Sequence, residues 1–258
     1  MSDVLRIARD GARVDVTVAH TAKRNAMSVV LQDALAATFT ELAGDDTIGL
    51  IVLTGEGPAF CSGGDLVEVA AADTPDTARQ LALRIRAVMD TIRRFPAPVV
   101  AALNGPAIGG GSEFALAADY RVAGPHGRIV FGQVGQAVTP GWGGGVDLIE
   151  RVGGPTAMRL LASGAAVDHT EGLALGLYDT VTADDEPLTD AVDRFVAPLL
   201  TAPVQVLRGN KAVALAARFT PERARVEAAE LDAFVATWMH ADHWDRLNTF
   251  LTRPRPGS

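Results

Sequence analysis

The chain has 258 residues, 48% hydrophobic, 21% charged and 5% aromatic, with a formal net charge of −8 at pH 7. That is enough apolar material for one large core with an appended helical piece, and it excludes disorder, collagen-like repeats and disulfide scaffolds. No apolar run reaches the ~18 residues of a membrane span, the acidic balance offers no nucleic-acid footprint, and the single cysteine, Cys61, leaves no internal disulfide.

The start, MSDVLRIARDG, has no apolar signal-peptide core, so a cytoplasmic location is the expectation. LRIARD and RVDVTV alternate around Asp10-Gly11 and read as a hairpin. Ser28 is placed to cap a helix running to about Gly44, with Val30, Leu31, Leu35, Phe39 and Leu42 at helical spacing. GLIVLTG (49–55) is a short apolar run closed by glycine, as a strand buried on both faces requires. After the loop GEGPAFCSGGD, a helix over about 76–95 stops at Pro96 and Pro98. VVAALNG (99–105) is a second buried strand, GGGSEFALAAD opens another helix, and YRVAG and RIVFG are short strands. From Gly143 onward the pattern is almost wholly helical. Strand–helix alternation through about residue 135 argues for parallel βαβ units. TAPVQ (201–205) is the best boundary candidate, dividing a core over 1–200 from a helical region over 201–258. The arginine pairs Arg84/Arg86 and Arg93/Arg94 read as solvated helix faces.

Glycines cluster at loop–helix junctions: Gly63-Gly64, Gly109-Gly110-Gly111 and Gly143-Gly144-Gly145. Each cluster alone is compatible with tight turns and close packing. Two of them follow buried apolar strands, however, and two backbone amides there could be aimed at one developing oxyanion. Glu113 lies three residues beyond Gly110, in the first turn of the helix. A glutamate there complements the helix dipole, and beside an oxyanion hole it would also serve as general acid or base. Other chemistries fare worse. Gly55-Glu56-Gly57 lacks the third glycine of a dinucleotide fingerprint, no P-loop exists, and Ser62 and Ser112 stand outside any GxSxG elbow. No metal site is expected from the histidines: His240 and His243, three apart on a late helix, read as surface or packing. Cys61 reads as a small apolar filler.

Together KRNAMS (23–28), LTGEGPAFCSGGDL (53–66), PVVAALNGPAIGGGSEFALAADYRVAG (98–124), PGWGGGVDLIERVGG (140–154) and the tail FVATWMHADHWDRLNTFLTR resemble the crotonase superfamily, the enoyl-CoA hydratase/isomerase family, over nearly the whole chain. The resemblance implies an α/β fold, a crotonase-like spiral of ββα turns with a C-terminal helical region, assembled as a homotrimer or homohexamer. It implies a substrate that is an acyl-CoA or acyl-carrier thioester, no cofactor beyond the coenzyme A of that substrate, and no nucleic-acid or membrane partner. Carried over by position, Gly64 and Gly110 match the two oxyanion-hole amides. Lys23, Arg24 and Ala26 match the segment lining the CoA nucleotide, and Ser62, Asp65 and Leu66 match the loop around adenine and pantetheine.

Glu113 matches the first of the two glutamates that hydratases of the family use on water. The second is missing. Aligning FGQ (131–133) with the family's FGQPE places it at Gly135 and needs a two-residue deletion; the ungapped register, which is preferred, places Gln133 there. A glutamine holds water or a carboxylate but transfers no proton at neutral pH, so ordinary hydration is expected to be slow. The resemblance implies a crotonase-type lyase that acts on the thioester through an enolate held in the oxyanion hole, with two alternatives beside that reading. One is decarboxylation of a malonyl-type (methylmalonyl- or ethylmalonyl-like) thioester, with Trp142 of the Pro140-Gly141-Trp142-Gly143-Gly144 segment as an apolar wall. The other is a catalytically silent acyl-CoA binder. Asp147 departs from the arginine that many members carry there.

Overall fold

The computed structural model describes residues 4–252. β1 (Leu5–Asp10) and β2 (Arg13–Val18) pair antiparallel, with Asp10 opposite Arg13. The loop residues are therefore Gly11 and Ala12, one position later than Asp10-Gly11, and Gly11 takes the φ of +57° that so tight a turn needs. Ser28 caps α1 (Val29–Ala43) by accepting the Leu31 amide, and Gly44 closes it. β3 (Leu50–Gly55) leads through α2 (Leu66–Val69) to α3 (Pro75–Arg93), which opens on a reciprocal cap between Thr74 and Thr77. Next come β4 (Val99–Leu103), β5 (Pro106–Ile108), α4 (Gly110–Ala117), β6 (Tyr120–Ala123) and β7 (Arg128–Val130), then a 3₁₀ turn over Gly132–Gln136.

α5 (Gly144–Val152) and α6 (Gly154–Ser163) follow, then β8 (Ala166–Val167), α7 (His169–Ala174), β9 (Thr180–Val181) and α8 (Leu188–Leu200). The chain ends in α9 (Val204–Arg218), α10 (Pro221–Trp238) and α11 (Ala241–Thr252). β8 and β9 interrupt the stretch read as helical. Two residues are too few to show a strand's period, so these pairings are decided by tertiary contacts alone.

The larger sheet has the order β1-β2-β3-β4-β6-β9, parallel throughout except for the β1–β2 hairpin; the smaller runs β5-β7-β8. Each turn sends one strand to the large sheet and then an extended segment to the small one, as β4 then β5 and β6 then β7 do. In the earlier turns that segment shrinks to single bridges, Met27 with Gly64 and Cys61 with Ala107. This is the expected spiral of ββα turns. Alternate residues of β3 serve opposite cores: Ile51 and Leu53 face α1, α3 and α4, while Leu50 and Val52 pack on Val192 and Val196 of α8. α10 folds back so that Leu231, Phe234 and Trp238 meet Val69, Ala78 and Ala82 of α2 and α3. That return brings α10 to the end of the sheet where the glycine loops lie.

Candidate active site

Two buried strands deliver two glycine loops to one place. Ile108 donates to the Cys61 carbonyl at 2.9 Å, tying the segment before Gly63-Gly64 to the one before Gly110. The fit is backbone against backbone: a Cβ on Gly63 would stand 2.9 Å from the Ile108 carbonyl oxygen and 3.5 Å from the Gly110 amide, and one on Gly111 would overlap the Cys61 carbonyl. Gly63 also takes φ +100°, so glycine is required there on two counts. Among the described residues neither the Gly64 nor the Gly110 amide donates to another part of the protein.

Trp142 roofs this junction. Its ring lies where a side chain on Gly110 would be, so that a Cβ there would overlap it, and it passes 3.6 Å from the Cβ position of Gly64. The indole is 6% exposed. Sequence reasoning proposed an apolar wall; the structure places that wall against both loops.

Glu113, on the first turn of α4, is 2% exposed. Its Oε2 accepts the Trp142 amide at 2.8 Å and the Gly144 amide at 2.9 Å, while Gln133 Nε2 donates to its Oε1 at 3.1 Å. Gly144 has to be glycine, because any Cβ would overlap the Glu113 side chain. Burial pushes the Glu113 carboxyl up to about 7, with help from the nearby Glu230 charge and against the pull of the Gly144, Trp142 and Gln133 donors. The two residues considered for the second acid lie in different surroundings. Gln133 reaches Glu113, whereas Gly135 is exposed with nothing within 4 Å of its Cβ position. The Gln133 Oε1 atom is buried and has no partner among the described residues.

The segments matched to CoA are stitched together beside these loops. The Ser62 amide donates to the Arg24 carbonyl at 3.1 Å and its hydroxyl to the Lys23 carbonyl at 3.2 Å. Asp65 caps α2 through the Val67 amide and forms an ion pair with Lys23. Burial pushes the Asp65 carboxyl up, but the Lys23 ammonium and the Val67 and Glu68 amides together outweigh it and hold the group below the usual carboxylate range. Ala26 is buried, and Leu66 is half-buried against the α10 cluster. Of the two lysines, Lys211 is buried against Asp119 at 2.5 Å, so the cations this edge offers to solvent are Lys23 and Arg24. Arg24 is exposed at φ +50° and its side chain has no partner among the described residues.

Three features escaped the sequence reading. Arg86 and Arg93 are 8% and 0% exposed, not solvated: seven residues apart, they share the inner face of α3. Arg84 and Arg94 do face outward, Arg94 stacking 3.6 Å above the Phe219 ring. Asp147 is the anion for three arginines, bonded to Arg93 at 2.9 Å, Arg218 at 2.6 Å and Arg223 at 2.7 Å. Burial alone would push its carboxyl up, but those cations hold it down at about 2. Glu230, on α10, accepts the Gly143 amide at 2.7 Å and the Val146 amide at 3.1 Å and pairs with Arg86 at 2.7 Å. Cys61 and His243 are as expected. The thiol is fully buried and pushed up to about 12 by burial, and His243 packs on Trp238 and Trp244. No group of residues suited to a metal ion occurs among the described residues.

A family model described as enoyl-CoA hydratase/isomerase matches residues 11–256. The chain belongs to the enoyl-CoA hydratase/isomerase family. An ethylmalonyl-CoA decarboxylase of Gallus gallus is 30% identical over 226 residues, 86% of this chain and 75% of that protein. A 2,3-dehydroadipyl-CoA hydratase of Escherichia coli is 33% identical over 233 residues, 86% of this chain and 88% of that protein. Among solved structures, a Thermobifida fusca protein in complex with acetoacetyl-CoA is 31% identical with a TM-score of 0.74, covering 91% of this chain and 96% of that one. An enoyl-CoA hydratase from Mycobacterium avium subsp. paratuberculosis, 24% identical over 95% of this chain and 98% of its own, shares the fold with a TM-score of 0.83. The architecture is thus that of the enoyl-CoA hydratase/isomerase family, and no helix among the described residues is long and apolar enough to cross a membrane.

Proposed function

We propose that this chain acts on an acyl-CoA through a thioester enolate, and that its reaction is loss of CO₂ from a malonyl-type thioester rather than hydration of an enoyl one. The observation that carries the reading is Gln133 facing Glu113 at 3.1 Å, where syn-hydration would use a second acid. In the proposed reaction the thioester carbonyl sits between the Gly64 and Gly110 amides. The bond from the α-carbon to the carboxylate breaks, its electrons move to the thioester oxygen and CO₂ leaves. Each oxyanion donor of this kind is worth ~100–1,000-fold in rate.

The enolate then takes a proton from Glu113, whose buried carboxyl is pushed up to about 7 and so is protonated for part of the time at neutral pH. Solvent restores that proton. Lys23, Arg24 and Ala26 would line the nucleotide, the two cations facing its phosphates, with Ser62, Asp65 and Leu66 along the adenine and pantetheine. The ethylmalonyl-CoA decarboxylase relatives and the acetoacetyl-CoA-bound structure support this reading.

The test is turnover of methylmalonyl-CoA and ethylmalonyl-CoA in D₂O. The expected product carries one deuteron at the α-carbon, and Glu113→Gln slows its formation ~100-fold or more. Brisk hydration of crotonyl-CoA would overturn the reading, turnover indifferent to Glu113→Gln would remove Glu113 as the proton donor, and binding of these thioesters without turnover would leave only an acyl-CoA binder.

A further inference from the structure

The N-terminus of α5 presents four amides to two carboxylates on different helices. Glu113, from α4, takes those of Trp142 and Gly144. Glu230, from α10, takes those of Gly143 and Val146. The two acids therefore interleave along one turn of backbone. Each glycine of the cluster is adapted to this clamp: a Cβ on Gly143 would stand 2.9 Å from the Arg93 guanidinium, one on Gly144 would overlap Glu113, and one on Gly145 would stand 2.6 Å from Glu230 Oε1. Arg86 fixes the outer acid, bonding Glu230 at 2.7 Å, the Glu227 carbonyl at 3.0 Å and the Gly141 carbonyl at 3.3 Å. Arg93 holds the Trp142 carbonyl at 2.9 Å.

We infer that Glu230 is a positioning residue for Glu113: by holding the alternate amides of the same helix end, it sets how the Glu113 carboxyl is oriented and makes the two acids share one proton-binding equilibrium. This deepens the proposed function, which assigns Glu113 the proton transfer. Two carboxylates on one small set of donors oppose each other's ionisation. Burial, first, and then the Glu230 charge push Glu113 up. Burial likewise pushes Glu230 up, with Arg86 pulling the other way. The charged groups around the pair are Arg86 and Arg93 from α3 and Asp147 from α5; Gln133 from the 3₁₀ turn is neutral.

The experiment is a ¹³C NMR titration of the glutamate carboxyls in the intact protein, with Glu113→Gln and Glu230→Gln used to assign the two resonances. Glu230→Gln is expected to lower the Glu113 midpoint by ~1 unit or more, because the Glu230 charge is present while Glu113 titrates; Glu113→Gln serves to assign the Glu230 resonance. The alkaline limb of the kcat profile for malonyl-type turnover, where Glu113 loses the proton it donates, moves with the Glu113 midpoint, while KM for the CoA thioester stays within about threefold. Arg86→Lys, which keeps the cation, retains most of the wild-type midpoint. The titration needs no turnover, so it stands even if the proposed reaction is wrong. Should Glu230→Gln fail to fold, Glu230→Asp, which draws the carboxylate back from the Gly143 and Val146 amides, is expected to move the Glu113 midpoint in the same direction. A Glu113 midpoint unmoved by loss or withdrawal of the Glu230 carboxylate in a folded variant overturns the inference.

Discussion

Gln133 and Glu113 meet as amide and acid, Nε2 to Oε1 at 3.1 Å, across the gap between the 3₁₀ turn and α4. The contact commits Glu113 Oε1 to a neutral donor. Gln133→Glu would supply a second carboxyl at the position that the ungapped register gives it. It is expected to raise crotonyl-CoA hydration at least ~10-fold, since a positioned acid or base contributes roughly 100–10,000-fold, and to lower malonyl-type turnover. The loss of absorbance as the enoyl thioester is hydrated, run beside a CO₂-release assay, reads both.

Glu113 also stores instability. Its carboxyl stands at about 7 in the fold against an ordinary 4.5. Between those values the folded chain binds more protons than the unfolded one, so stability falls as pH rises through the window. Glu113→Gln removes the burden. At pH 8 the variant is expected to be more stable than the parent by ~1–3 kcal/mol, with the gap closing below about pH 4.5 as both side chains become neutral. Denaturant melts at pH 8 and pH 4 measure the difference.

Asp147 carries the opposite sign. Its carboxyl, held at about 2 by Arg93, Arg218 and Arg223, contributes stability above its ordinary 3.8 that is lost as pH falls through 2. Asp147→Asn leaves three arginines, two of them buried, without their shared anion. The expected cost is ~3–5 kcal/mol at pH 7, narrowing as pH approaches 2. A melting series from pH 7 to pH 2.5 checks both the size and the trend.

The roof over the glycine loops gives a double-mutant test. Gly110→Ala puts a methyl group into the Trp142 ring, so both folding and turnover should suffer, the stability loss being ~1–3 kcal/mol. Trp142→Ala vacates that space at the cost of a buried indole, ~3–5 kcal/mol alone. The double variant is expected to be more stable than the sum of the single losses predicts, because the clash disappears. Additive losses would mean that the ring does not rest on Gly110.

Much of this was legible in sequence because it is written locally. Ser28 and Gly44 mark the ends of α1, and the apolar runs before Gly55 and Gly105 mark strands buried on both sides. Gly110 followed by Glu113 places an acid on the first turn after a loop. Gln133 was reachable only by counting from Asp119 to Pro140, since FGQ by itself pointed to Gly135. What stayed hidden depends on distant pairing. Arg86 and Arg93 look solvated until Glu230 and Asp147 arrive from α10 and α5. β9 is two residues long and exists only because β6 offers an edge. Asp147 makes sense only once three arginines from α3, α9 and α10 surround it.

The most direct measurement is a side-by-side rate comparison of purified protein on ethylmalonyl-CoA and crotonyl-CoA at pH 7, with product mass determined for each. CO₂ release from the first, outpacing water addition to the second by ~100-fold or more, is the predicted result. Rapid 3-hydroxybutyryl-CoA formation from crotonyl-CoA, with ethylmalonyl-CoA left intact, would contradict it.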